Sequence, residues 1–137
     1  MIYCPPMPEK TIRIVMSDRC FRFKPDAIPG HAPAAPGVYE FVTFDEQQKP
    51  QVLYVGLAAS SIQQQLVEHM MNKRKPTSDE LFGKNPNVYF DYVARASAQA
   101  PEDLKGIAAA LVEKHKPPFN TEPVSAKPVP IEEVEIL

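Results

Sequence analysis

Pro36-Gly37-Val38-Tyr39 and Leu53-Tyr54-Val55-Gly56 decide the fold of this chain. Gly37 to Phe44 is rich in β-branched and aromatic residues, which fit a pleated, half-buried surface. Gln51 to Gly56 repeats that composition after the polar segment Asp45 to Pro50. A short polar connection between two such runs predicts an antiparallel hairpin. Each half carries one tyrosine and one glycine.

Working outward, Ser60 to about Lys73 predicts a helix. Ser60 with Gln63, or Ser61 with Gln64, has capping-box spacing. Ile62, Leu66, His69 and Met70 then recur at helical spacing. Lys73-Arg74-Lys75 suits the negative end of the helix dipole, and Pro76 is the expected stop. Asn87 to Ala96 predicts a third strand, with Val88, Phe90 and Tyr92 on one face. Pro101-Glu102-Asp103 opens a second helix, whose stripe is Leu104, Ile107, Ala108, Leu111 and Val112. Pro117 ends it.

Toward the ends the signals change. Thr11 to Phe23 holds the β-prone pieces Ile12 to Val15 and Cys20 to Phe23, while the four prolines of Pro25 to Pro36 predict a loop without regular structure. Met1 to Pro8 reads as an irregular lead, and Thr121 to Leu137 as a flexible tail rich in proline, valine and glutamate. The expected organisation is an extension over residues 1–35, a central domain over 36–120 and a tail over 121–137. The expected fold is α/β in the α+β sense: a small, mainly antiparallel three-stranded sheet flanked by helices, with a β-rich N-terminal extension.

Bulk numbers bound the function. With 137 residues the chain is one domain by length, and its formal net charge of −2 lacks the strongly basic footprint of a dedicated nucleic-acid binder. Cys4 and Cys20 form no zinc signature. No apolar run is long enough to span a bilayer, and the opening residues do not read as a signal peptide, so a cytoplasmic protein with reduced thiols and no membrane partner is expected.

With Lys116-Pro117-Pro118-Phe119-Asn120 added, the two tyrosine-glycine stretches resemble the GIY-YIG endonuclease family over about residues 36–120. The family's element order, strand-strand-helix-strand-helix, is the one read here. The resemblance implies a phosphodiester hydrolase in which a strand tyrosine acts as base or orients water. It also implies an arginine on the first helix that stabilises phosphate charge, and a glutamate on the later helix that holds a divalent metal. Tyr39 and Tyr54 match the catalytic tyrosines, Gly56 the closing glycine and Asn120 the terminal asparagine.

The charged positions depart from that pattern. Gln65 stands at the arginine position, and a slip of register changes nothing, because Gln63, Gln64 and Gln65 are all glutamine. An arginine in phosphoryl transfer is worth about 10³–10⁵ in rate, so its loss is severe. Ala108 stands at the glutamate position; Glu113 lies about 140° away around the helix and Glu102 belongs to its first turn. Leu57 follows Gly56 where relatives often carry lysine. No cofactor is expected, and Mg²⁺ or Mn²⁺ only if the chain cuts.

Three functions follow in order. The first is a nuclease-like domain without normal endonuclease activity that binds DNA weakly and salt-sensitively, through Gly56, Lys73, Arg74, Lys75, Lys116 and Asn120. Lys84 and Lys114 would extend that strip. The second is a protein-interaction module whose tail end, Val134 to Leu137, adds a strand to a partner. The third is an active metal-dependent endonuclease with relocated residues, with Arg13, Arg22 or Arg95 supplying the guanidinium. The plain alternatives are packing tyrosines, a solvated glutamine face, and a satisfied boundary histidine at His69.

Overall fold

The computed structural model describes residues 11–122 and 126–135. Cys4 and the expected irregular lead lie outside them, as do Ile136 and Leu137. The strands are β1 (Ile12–Met16), β2 (Phe21–Arg22), β3 (Gly37–Phe44), β4 (Pro50–Ala58), β5 (Tyr89–Ala96) and β6 (Ile131–Glu133). The helices are α1 (Ile28–His31), α2 (Ile62–Met70), α3 (Ser78–Lys84) and α4 (Pro101–His115).

The expected hairpin is β3 against β4, with Tyr39 opposite Gly56. β5 lies antiparallel on the other side of β3, where Tyr39 faces Tyr92 and Glu40 faces Asp91. The expectation of three strands is corrected. The sheet has six, in the order β4-β3-β5-β1-β6, with β2 also pairing β5. β1 joins β5 antiparallel, and β6 joins β1 in parallel, so the sheet is mixed. The strand signal of Ile12 to Val15 was plain in the sequence; its partner was not, because Ile14 pairs with the distant Ala96.

Part of the expected tail forms contacts with the domain where it is described. Val129 packs on α4, where a Cβ at Gly106 would come within 2.5 Å of a Val129 methyl carbon. Gly106 is thus the seat on which the strap lies. The Ile12 N–H donates to the Pro130 carbonyl at 2.8 Å, and the Val134 N–H donates to the Ile14 carbonyl at 2.9 Å. The tail adds its strand to its own sheet.

Other boundaries move for local reasons. α2 stops at Met70, short of the expected Lys73, because Asn72 turns left-handed at φ 60°. The Asn72 side chain then accepts from the Ser78 hydroxyl at 3.0 Å and the Asp79 N–H at 3.2 Å, tying α2 to α3. α3 itself was not anticipated, although Thr77 and Glu80 form a capping box: the Thr77 hydroxyl accepts from Glu80 N–H, and the Glu80 carboxylate accepts from Thr77 N–H. In the proline-rich loop, α1 is a single turn with Pro29 near its start, where a missing N–H costs nothing.

Two cores lie on opposite faces of the sheet. Tyr39, Phe41, Phe90, Ile62, Leu66 and Leu81 join α2 and α3 to one face. Val38, Val55, Ile12, Ile14, Ile107 and Leu111 join α4 to the other. The alternation of Val38, Tyr39 and Phe41 along β3 follows from the two-residue period of a strand.

Glu40 breaks that apolar pattern and is only 4% exposed. Burial is the main cause that pushes its carboxyl up to about 9, and the charge of Asp91 adds to it. Burial raises Asp91 as well. Both carboxyls are thus pushed toward their protonated forms, Glu40 to about 9. The Cys20 thiol donates to Asp91 Oδ2 at 3.8 Å, and burial beside this acid pushes the thiol up to about 12. His115 Nε2 lies 3.7 Å from Glu40 Oε2, and burial lowers His115, so neutral partners meet there near pH 7.

The folded state keeps a proton that an unfolded Glu40, with its ordinary value of 4.5, releases. The stability linked to this group is full below that value and is lost as pH rises toward about 9. In Glu40→Gln the amide replaces the protonated acid, so the fall in urea-unfolding stability between pH 5 and 9 should be visibly shallower than in the parent protein. An unchanged slope would assign the fall to other groups.

Candidate functional site

β3, β4 and α2 bring together the residues singled out in the sequence. Tyr39 projects from β3 onto the backbone of Gly56 in β4. A Cβ at Gly56 would stand 2.2 Å from the Tyr39 ring, so only glycine fits. No described glycine has a positive φ, so close approach, not a left-handed turn, explains Gly56.

The ring of Tyr39 is fully buried. Its hydroxyl donates to Gln65 Oε1 at 2.8 Å and lies 2.7 Å from His69 Nε2. The other ring nitrogen, Nδ1, lies 2.9 Å from the Pro76 carbonyl. A carbonyl only accepts, so Nδ1 carries a proton. Burial lowers His69 to about 4, so near pH 7 the ring is neutral and Nε2 is bare. One phenolic proton then faces two acceptors. A half-turn of the Gln65 amide would set its NH₂ on the phenol oxygen and free that proton for His69. Burial also raises the phenol well above its usual range, which keeps it protonated.

The three-glutamine face is therefore not uniformly solvated. Gln65 is bound to Tyr39, and Gln63 donates to the Pro29 carbonyl at 3.3 Å and the Ala32 carbonyl at 3.4 Å. Gln64 is exposed and reaches Glu68. His69 is buried with both nitrogens engaged.

Tyr54 is different. Its ring stands 6.4 Å from that of Tyr39 and 5.6 Å from His69, and it lines an open cavity of about 630 Å³. Arg74, Lys75 and Lys105 bring positive charge to the same cavity, Glu80 and Glu122 bring negative charge, and Ala108 forms part of the α4 wall. Burial raises the Tyr54 phenol, and the Arg74 guanidinium opposes that rise. Arg74 Nε donates to Glu68 Oε1 at 2.8 Å; its terminal nitrogens make no hydrogen bond among the described residues.

Of the arginines expected to substitute for the missing one, none lines this cavity: Arg13 sits 3.9 Å from Glu132, Arg22 lies over the Tyr89 ring, and Arg95 is exposed on β5. Arg74 takes that place instead. Lys75 is beside it, whereas Lys73 and Lys116 are exposed outside the cavity lining. Lys114 pairs with Glu133 at 3.1 Å and Lys84 lies over the Phe119 ring, so the expected cationic strip is divided among separate partners. Lys105 was missed; nothing in the sequence separates it from other solvated helix lysines.

Asn120 closes the open edge of β4. Its side chain accepts from the Val55 N–H at 2.8 Å and donates to the Val55 carbonyl at 3.0 Å. The Phe119 N–H donates to the Leu53 carbonyl at 3.0 Å. The Lys-Pro-Pro-Phe-Asn stretch thus acts as a short false strand beside β4.

The carboxylates near the two tyrosines are few. Glu80 is spent on its own helix cap, Glu68 on Arg74, and position 108 offers only a methyl group. Among the described residues no group of three or more His, Cys, Asp or Glu is placed to hold a metal ion. Comparison with protein-family models, curated proteins and solved structures finds no match to this chain.

Tyr39→Phe leaves the buried His69 Nε2 and the half-buried Gln65 amide without their shared partner, a cost of about 1–3 kcal/mol. Chemical denaturation at pH 7 should read that loss. Because His69 is depressed in the folded state, its contribution is present above its ordinary value of 6.5 and lost as pH falls through about 4. Parent and variant should therefore both weaken on acidification. A stability unaffected by Tyr39→Phe would mean that the network adds nothing.

Proposed function

We propose that this chain is a GIY-YIG-like domain that binds the nucleic-acid backbone weakly at the Tyr54–Arg74 cavity and does not cleave it. The observation that carries the reading is the state of Tyr39. A base or water-orienting phenol must reach the reacting water, yet this hydroxyl is buried and held between Gln65 and His69. Where the family would place an arginine, Gln65 secures the tyrosine instead.

Binding has support of its own. Arg74, Lys75 and Lys105 face one cavity, and the terminal nitrogens of Arg74 are directed to no protein acceptor among the described residues. A planar guanidinium suits a phosphate better than an ammonium does. Glu80 and Glu122 on the same wall oppose an anion, which keeps the affinity low and salt-dependent. The donor set gives no support to a resident Mg²⁺ or Mn²⁺. The tail reading, in which Val134 to Leu137 adds a strand to a partner, has less to draw on: the Val134 N–H is bonded to the Ile14 carbonyl, and Ile136 and Leu137 lie outside the described residues.

The experiment is binding of duplex and branched DNA at low and moderate salt, with cleavage assayed alongside in magnesium and in manganese. Weak binding at low salt, about tenfold weaker in Arg74→Glu/Lys75→Glu, is expected with no cut product. Absence of binding at low salt removes the nucleic-acid part. Metal-dependent cutting that Arg74→Ala abolishes would instead establish a relocated nuclease.

A further inference from the structure

A second cavity, of about 210 Å³, lies beside α3. Phe82 lines it, whereas Glu80 lines the larger one. Residues two positions apart on a helix, as Glu80 and Phe82 are, stand about 200° apart around its axis, so the two cavities flank opposite sides of α3. Arg22, Lys24 and Tyr89 complete the second site with Phe23 behind them.

The chemistry of this site is unusual for a surface. Among the described residues the exposed large hydrophobic side chains are Phe44 (36%), Met71 (56%) and Phe82 (42%). One of the three, Phe82, lines the cavity; Phe44 lies outside the lining and meets its Tyr89 edge to face at 5.2 Å. Phe82 lies parallel to buried Phe23, centroids 6.1 Å apart and planes within 5°, while much of its own surface stays open to solvent. The Arg22 guanidinium stands 5.8 Å over the Tyr89 ring and has no carboxylate partner among the described residues. Lys24 is exposed and only 3.9 Å from Asp26, a weak pair.

We infer that this cavity binds single-stranded nucleic acid, one base stacking on Phe82 while Arg22 and Lys24 meet its phosphates. An exposed aromatic ring beside an arginine with no carboxylate partner and a weakly paired lysine is the combination that single strands require. A duplex hides its base faces and would gain only the charge term. An apolar peptide would gain nothing from Arg22 and Lys24. The site is independent of the Tyr54–Arg74 cavity, and a strand crossing α3 would touch both.

The chain has no tryptophan. Phe82→Trp therefore installs a sole indole reporter at an exposed position, where the fold tolerates it. Titration with a single-stranded oligothymidylate of about eight nucleotides at low salt should quench it saturably, and a duplex of equal length should not. Phe82→Ala should weaken single-strand binding about tenfold by anisotropy, and Arg22→Gln should weaken it and flatten its salt dependence. No quenching at low salt, or Phe82→Ala binding as tightly as the parent, overturns the inference. Single-strand binding lost in Arg74→Glu/Lys75→Glu but untouched by Phe82→Ala would leave the first cavity standing and this one empty of function. The reverse pattern would do the opposite.

Discussion

The contact between the Tyr39 ring and the bare backbone of Gly56 organises this molecule. It fixes the register of β3 on β4, since a slip of one residue would place a side chain under the ring. It buries the phenol, and a buried phenol needs polar partners. Those partners, Gln65 and His69, come from one face of α2, so the same contact also sets how that helix docks. His69 then reaches Pro76 and anchors the turn that delivers Arg74 and Lys75 to the cavity.

Seen from this joint, the two tyrosines have divided roles. Tyr39 is structural in its surroundings: enclosed, proton-bearing and fully bonded. Tyr54 is the one that meets open space and positive charge. A glutamine at position 65 suits the enclosed state, because a neutral amide completes the network without bringing a charge into a dry site. An arginine there would have to be solvated or paired.

The hairpin, α2, β5 and α4 were legible from local signals, because each is set by neighbours in the chain: β-branched runs, a serine cap, a proline start and an apolar stripe. Long-range pairing was not legible. Ile12 to Val15 reads as a strand, yet nothing near it says that Ala96 and Ile131 lie alongside. α3 was legible in principle through Thr77 and Glu80, but Pro76 and the short length masked it. At the site, position in the motif located Tyr39, Tyr54 and Gln65 but not their partners. His69 as the phenol's neighbour and Arg74 as the cavity's guanidinium depend on where α2 ends, and that rests on a left-handed Asn72.

The pairing of β1 with β5 has a consequence for the order of assembly. The β3–β4 hairpin closes through a short turn, so its ends find each other quickly and at little entropic cost. β1 has no neighbour in the chain to pair with; it waits until β5 is in place, and β6 in turn waits for β1. Such distant closures slow the search for the native state. The apolar flank of Ile12 and Ile14 thus stays uncovered longest during folding, and it is the surface through which a half-formed molecule would stick to another.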